Sequence, residues 1–325
     1  MTACYYDCLY TVNYKGEHEY VMKNKNNEQL ISRYDMFSQT IKTGIITSNL
    51  IPMFAGLTLS MYTYQVGIFE KWLETILALI GSSLVIAAAG SFNNLYERDI
   101  DAIMERTKKR PTVTGEINPY FVMSMATIMA VVGIIALWFT TPTAAYLGFL
   151  GLFFYVFPYT IWSKRFTYLN TEIGSISGAM PPLIGWAAIN ENILHPAIIG
   201  LFLITIFWQM PHFYAIALRK QKDYTAAKIP MLPVAKGVKR TYIQTNIYLI
   251  ILLAASFLFN PISLGLTLMA FTLSLGWLIL NIYGYKKMET QKWATMLFIY
   301  SLIHMTVLFS TVIIYSLVSV IFKLY

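Results

Sequence analysis

Nine stretches of predominantly apolar residues, most of them 20 residues or longer, leave this chain few ways to fold; they lie near residues 41–63, 72–95, 119–140, 143–163, 172–189, 196–217, 240–259, 262–284 and 293–321. A hydrocarbon core of about 30 Å is crossed by roughly 20 helical residues. Within that core every backbone N–H and C=O must be bonded inside its own segment, so such runs are read as helices. Composition agrees: 57% of residues are hydrophobic and only 12% are charged. The expected fold class is therefore all-α, a polytopic membrane protein of about nine transmembrane helices. The fifth stretch is interrupted by Pro181-Pro182, and adjacent prolines remove backbone donors and break a helix unless protein or a cavity covers the gap.

Lysine and arginine placement predicts the orientation. With nine crossings, the amino-terminal side and alternate loops hold 22 basic residues, and the opposite side holds Lys71 and Lys323 alone. Basic residues accumulate on the cytoplasmic side, which puts the amino terminus inside. The net charge of +8 is then topological and gives no reason to invoke nucleic acid. Residues 1–37 are read as a cytoplasmic tail and residues 38–325 as one intramembrane domain. The tail carries Asp7, Glu17, Glu19, Glu28 and Asp35 with only one arginine, Arg33, which is unlike a mitochondrial transit peptide, and it has no secretory apolar core. A bacterial plasma membrane is the expected location. Cys4 and Cys8 are too few to form a metal site and lie where disulfides are uncommon.

Chemistry-bearing residues concentrate at two inner loops. The first runs Asn93-Asn94-Leu95-Tyr96-Glu97-Arg98-Asp99-Ile100-Asp101 and continues to Arg106-Thr107-Lys108-Lys109-Arg110-Pro111. If the preceding helix continues, Asn93, Glu97 and Asp101 are four residues apart and rotate only about 40° per step, so all three share a face while Asp99 points away. One amide and two carboxylates offer oxygen ligands to a hard cation such as Mg²⁺, which commonly joins a few carboxylates to substrate phosphates. Charged loops at helix ends also arise for topology alone, and the regular spacing is what favours a site here.

The second cluster begins at Trp208-Gln209-Met210-Pro211-His212 and runs through Arg219-Lys220-Gln221-Lys222-Asp223-Tyr224 to Ile229-Pro230-Met231-Leu232-Pro233. On an unbroken helix His212, Arg219 and Asp223 fall within about 20° of one line. Asp223 would add an oxygen ligand, and Arg219, Lys220 and Lys222 would hold phosphate or carboxylate groups. His212 could ligate haem iron, accept a proton or cap a carbonyl freed by Pro211. His304, inside the ninth stretch, reads as packing, and His18 and His195 as solvated.

The first cluster, the run Asn170-Thr171-Glu172-Ile173-Gly174 through Gly178-Ala179-Met180-Pro181-Pro182-Leu183-Ile184-Gly185-Trp186, and the second cluster together resemble the signature regions of the UbiA superfamily of intramembrane prenyltransferases. Within it they look like the haem-prenylating branch, the protohaem IX farnesyltransferases or haem O synthases, from about residue 40 onward. The resemblance implies helices around a central cavity, and catalytic and metal-holding roles for Asn93, Glu97, Asp101 and Asp223. It further implies diphosphate contacts from Arg98, Arg106, Lys109, Arg110 and Lys220, haem contacts from His212 and Arg219, Mg²⁺ as cofactor, and haem B and farnesyl diphosphate as substrates. Haem A synthase would be a partner protein.

Two departures from the superfamily pattern matter. Glu97 stands where aspartate is usual, and the second motif keeps only Asp223 cleanly, with Gln209 and His212 upstream. The latter resembles the haem branch and counts against quinone-type aromatic acceptors. A secondary transporter and an oxidase-assembly subunit remain as alternatives from other classes. No halves-repeat supports the first, and spaced acids have no use in the second.

Overall fold

The computed structural model describes residues 8–12, 18–22 and 32–323. Strands β1 (Cys8–Val12) and β2 (His18–Met22) pair antiparallel, a small addition to an otherwise helical chain. Cys4 and most of the tail reading lie outside the described residues.

Helix α1 (Arg33–Ile41) leads through Lys42 into α2 (Thr43–Thr63), and α3 (Trp72–Tyr96) is followed by the short α4 (Arg98–Ile103) and α5 (Pro111–Thr114). Then come α6 (Pro119–Trp138) and α7 (Pro142–Phe154), which continues through a π-helical segment, Tyr155–Ser163, into α8 (Lys164–Phe166). Next are α9 (Asn170–Gly178), α10 (Met180–Ala187), α11 (Pro196–Arg219) and α12 (Gln221–Ala226). Helices α13 (Leu232–Ala255), α14 (Leu264–Lys287) and α15 (Thr290–Phe322) complete the chain. Helix starts follow capping chemistry. Asn118, Thr141 and His195 each accept a backbone N–H through their side chains, and each precedes a proline that opens the first turn.

Eight helices among the described residues are long and apolar enough to cross a membrane. The ninth expected crossing is two short helices, α9 and α10, joined at Ala179. The prolines begin the second piece because neither can donate to the turn before it. The interruption is covered by protein. A Cβ at Gly185 would overlap the Met53 carbonyl, and one at Gly56 would overlap the Pro182 carbonyl. Helices α2 and α10 thus meet backbone to backbone, which only glycine permits here. Similarly, Gly81 and Gly133 bring α3 and α6 together, since a Cβ on either would lie 2.9 Å from the other's carbonyl oxygen. Small residues at such contacts are the usual route to helix association in lipid. The result is a bundle in which α11 is the most enclosed crossing and the C-terminal end of α3 is held against the π-helical segment.

A candidate diphosphate and metal site at the C-terminal end of α3

Glu97 sits between α3 and α4 at φ −92° and ψ 11°. Helical bonding nevertheless runs through it: Glu97 N–H donates to the Asn93 carbonyl at 2.9 Å, and Asp101 N–H to the Glu97 carbonyl at 2.8 Å. The four-residue stripe therefore keeps one face. Asn93, Glu97 and Asp101 are 2%, 2% and 3% exposed, whereas the side chain of Asp99 is 64% exposed.

Each member of the stripe is met by a cation. Lys42 Nζ donates to Asn93 Oδ1, Lys164 Nζ to Glu97 Oε2 at 2.5 Å, and Arg110 Nη1 to Asp101 Oδ2. The amide of Asn93 also donates to Thr160 Oγ1 at 2.9 Å, on the π-helical segment. Such segments occur often at functional sites because the extra residue per turn re-aims side chains. Burial opposes ionisation of Glu97, but Lys164 and Lys42, with hydrogen bonds from Lys164 and Asn93, outweigh it and hold the carboxyl below its ordinary range. Burial pushes Lys42 down to about 7 against the attraction of Glu97, with Arg110 and Lys164 adding to the depression. Buried charges of this kind persist only when paired.

On the outer side of the same helix, Arg165 grips Asp99 through both Nη atoms at 2.8 Å and lies 4.9 Å from the Tyr96 ring centre. The hydrogen bond from Arg165 holds Asp99 below its usual range. Arg98, Arg106 and Lys109 are exposed around the stripe, while Arg110 is partly buried in it. Thr107 Oγ1 donates to the Asp101 carbonyl at 3.0 Å and pins the loop between them.

The second cluster spans the joint between α11 and α12. Helix α11 ends at Arg219 and Lys220 (φ −114°, ψ 25°) joins it to α12, with helical bonding running through the joint: Lys220 N–H donates to the Ile216 carbonyl at 3.0 Å and Tyr224 N–H to the Lys220 carbonyl at 3.1 Å. His212 and Arg219 do share a face. His212 stacks between Trp208 and Phe298, with ring centres at 4.6 and 5.3 Å, and its Nδ1 lies 2.7 Å from Ser301 Oγ. Arg219 lies 4.5 Å from the Phe298 ring centre. Asp223 is partly exposed on α12, and its neighbour Tyr224 packs with Ile100 and Met104. That apolar cluster, which also takes in Ala217, Ile229 and Met231, is held together by hydrophobic burial. Lys220 is exposed at the turn.

The donor set fits a hard divalent cation. Two buried carboxylates and an amide supply only oxygen among their ligating atoms, and Glu97 Oε1 is buried without a hydrogen-bond partner. Among the described residues no three His, Cys, Asp or Glu side chains converge, so remaining ligands would come from the amide, water or substrate phosphate.

Sequence reasoning assigned no role to Lys42, Thr160 or Lys164. They lie 51, 67 and 67 residues from the groups they contact. The available signal is only that Lys164 and Arg165 are the sole cations of the segment between the fourth and fifth apolar stretches.

Residues 49–302 match the UbiA prenyltransferase family. The chain belongs to that family. It is 64% identical over 290 residues to protoheme IX farnesyltransferase 1 of Bacillus cytotoxicus, covering 89% of this chain and 95% of that one. Protoheme IX farnesyltransferase 2 of Lysinibacillus sphaericus is 58% identical over 295 residues, covering 90% and 93%. The fold resembles a digeranylgeranylglyceryl phosphate synthase structure at a TM-score of 0.72 and 15% identity, covering 87% of this chain and 98% of that one. It also resembles a UbiA homologue from Archaeoglobus fulgidus bound to GPP and Mg²⁺ at 0.67 and 13%, covering 86% and 99%. The expected all-helical prenyltransferase fold is therefore found, and this UbiA member is a multi-pass membrane enzyme that transfers a prenyl group.

Proposed function

We propose that the protein transfers a farnesyl group from farnesyl diphosphate to a vinyl group of protohaem IX, with addition of water, to give haem O. The observation that carries the donor half is the buried stripe Asn93, Glu97 and Asp101, each facing its own cation. The relatives named above support the acceptor half.

An allylic diphosphate ionises when charge on its leaving group is neutralised. Lys164 and Arg110 stand where they can exchange a carboxylate partner, and Lys42 the amide oxygen of Asn93, for a diphosphate oxygen, and the exposed Arg98, Arg106, Lys109 and Lys220 would guide the anion in from water. Asn93, Glu97, Asp101 and Asp223 would hold Mg²⁺, which supplies charge neutralisation to the departing diphosphate. Positioning these charges in a site shielded from water strengthens their effect on the developing anion. The apolar helices around them exclude stray water from the farnesyl cation until the vinyl carbon attacks. Arg219 would pair with a haem propionate, and His212, packed on Trp208 and Phe298, would lie against the macrocycle or its iron.

The basic bias of the inner loops supports a bacterial plasma membrane location with the amino terminus, residues 1–37 and both charged clusters in the cytoplasm, and residues 38–325 as the catalytic domain. Haem A synthase is the partner that would receive the product. Reporter fusions after Lys108 and Lys222 should read cytoplasm, and one after Asn192 the outer face. The function is tested by incubating purified protein with haem B, farnesyl diphosphate and Mg²⁺ and identifying the porphyrin by mass. A farnesylated, hydroxylated porphyrin is expected. Prenylation of hydroxybenzoate or a naphthoate, with no change in haem, would overturn the acceptor.

A further inference from the structure

Away from the stripe, a groove of about 660 Å³ runs between α14 and α15, with Leu280, Lys292, Met296, Ile299 and Ile303 among its lining residues. The rotation of α15 sets this seam. Trp293, Leu297, Ser301 and His304 face the bundle at 1% exposure or less, which leaves Lys292, Met296, Ile299 and Ile303 on the other side, with Ile299 52% and Ile303 48% exposed. Tyr300 forms the wall toward α14. Its Oη crosses to donate to the Leu273 carbonyl at 3.0 Å, and Gly276 makes the space, since a Cβ there would overlap that hydroxyl.

One end of the groove is basic. Lys286 and Lys287 close α14, and Lys292, in the first turn of α15, lines the groove itself. All three are exposed and none is in an ion pair among the described residues, while Glu289 is the one acid between them. Gln291 Nε2 donates to the Leu218 carbonyl at 3.3 Å, so this end lies beside the C-terminal end of α11, at the membrane face of the charged clusters. The rest of the groove is largely apolar, and no acid lines it. From Lys292 to Ile303 the helix rises roughly 16 Å, close to the depth of one leaflet, about half of a 30 Å hydrocarbon core.

We propose that this groove binds one anionic phospholipid, with its phosphate on Lys292, Lys286 and Lys287 and one acyl chain along Met296, Ile299 and Ile303. Lysines at a membrane surface attract anionic headgroups, and a lysine stem lies along apolar surface while its ammonium reaches the interface. Depth and charge select the occupant. A free phosphate would use only the mouth and leave the apolar length uncovered. A zwitterionic lipid brings a cation that the lysines repel. A second copy seated across a two-fold axis would set its own three lysines against these.

The test is native mass spectrometry of the detergent-purified protein with equimolar dioleoyl phosphatidylglycerol and dioleoyl phosphatidylcholine. The wild-type protein should retain one phosphatidylglycerol in preference to phosphatidylcholine. Combining Lys286→Gln, Lys287→Gln and Lys292→Gln should lower that preference by at least about tenfold, since each lysine near an anionic headgroup contributes on the order of fivefold. Lys292→Gln alone should lower it by about fivefold, which keeps the test should the triple variant not fold. Thr295→Trp fills the groove with the lysines in place and should lose the retained lipid. Lys71→Gln, at the opposite end of the bundle, should match the wild type. Inorganic phosphate should not displace the lipid. An unchanged preference in the lysine variants, unchanged occupancy in Thr295→Trp, displacement by phosphate, or a lipid-free dimer as the only species would each overturn the proposal. None of these readouts depends on the transferase reaction, so the two readings fail separately.

Discussion

Replacing Lys164 with methionine should separate the electrostatics of the stripe from its packing. Lys164 and Glu97 are 2.5 Å apart with side chains 16% and 2% exposed, so the substitution leaves a buried carboxylate facing apolar volume. Removing one partner of a buried pair costs about 3–5 kcal/mol. Lys42 also acts on Glu97, and Lys164 retains some access to water, which places the expected loss near the lower bound, about 3 kcal/mol. At about 2–3 °C per kcal/mol for a chain of this size, that is a fall in Tm of roughly 6–9 °C. Lys164→Met with Glu97→Met removes both charges and should recover about 2 kcal/mol of that loss, a coupling well beyond the 0.3–0.5 kcal/mol or so expected of independent sites. Turnover should separate from stability: both variants should lose about 100-fold or more in kcat, since an anion-stabilising donor is missing from each. The assay is thermal unfolding and diphosphate release on the same detergent-purified samples. Additive stabilities in this cycle, or a Lys164→Met variant as stable as Lys222→Met, would refute the pairing.

Glu97→Gln and Asp101→Asn should abolish prenyl transfer while leaving the protein inserted, and chelation of Mg²⁺ should reproduce them; Asp99→Asn should keep near wild-type activity, because its exposed pair with Arg165 is worth at most about 1 kcal/mol. Gly185→Ala should lower the yield of folded protein and cost about 1–3 kcal/mol or more, measured by Tm, because its Cβ meets the backbone of α2. Burial holds His195 below its ordinary value, and its Nδ1 must stay unprotonated to accept the Ala197 N–H at 3.2 Å. The folded state therefore binds fewer protons than the unfolded one, so this contribution is complete above about 6.5 and declines as pH falls through the lower folded value. His195→Asn should flatten Tm against pH in that window, and an unchanged slope would contradict the capping role.

Much of this architecture is legible in the sequence because lipid leaves the backbone so few options. The long apolar runs become helices, and Pro181-Pro182 marks the crossing that divides into α9 and α10. The inward stripe is legible too, since a four-residue period survives the irregular φ and ψ at Glu97. Three features were not. The cations that meet the stripe come from 9 to 67 residues away, and only the nearest, Arg110, belonged to the recognised motif. The joint at Lys220 between α11 and α12 carries no proline or glycine to announce it. The π-helical stretch around Pro158 re-aims Thr160 toward Asn93, a displacement that helical periodicity does not encode.

The most direct test of the central claim is a structure of the protein with Mn²⁺ in place of Mg²⁺ and a farnesyl thiodiphosphate that cannot ionise readily. An anomalous peak on the carboxylates of Glu97 and Asp101, with diphosphate oxygens against Lys42, Lys164 and Arg110, is the predicted result. Metal and diphosphate bound instead on the His212 and Arg219 face, with those three cations still on their present partners, would contradict it.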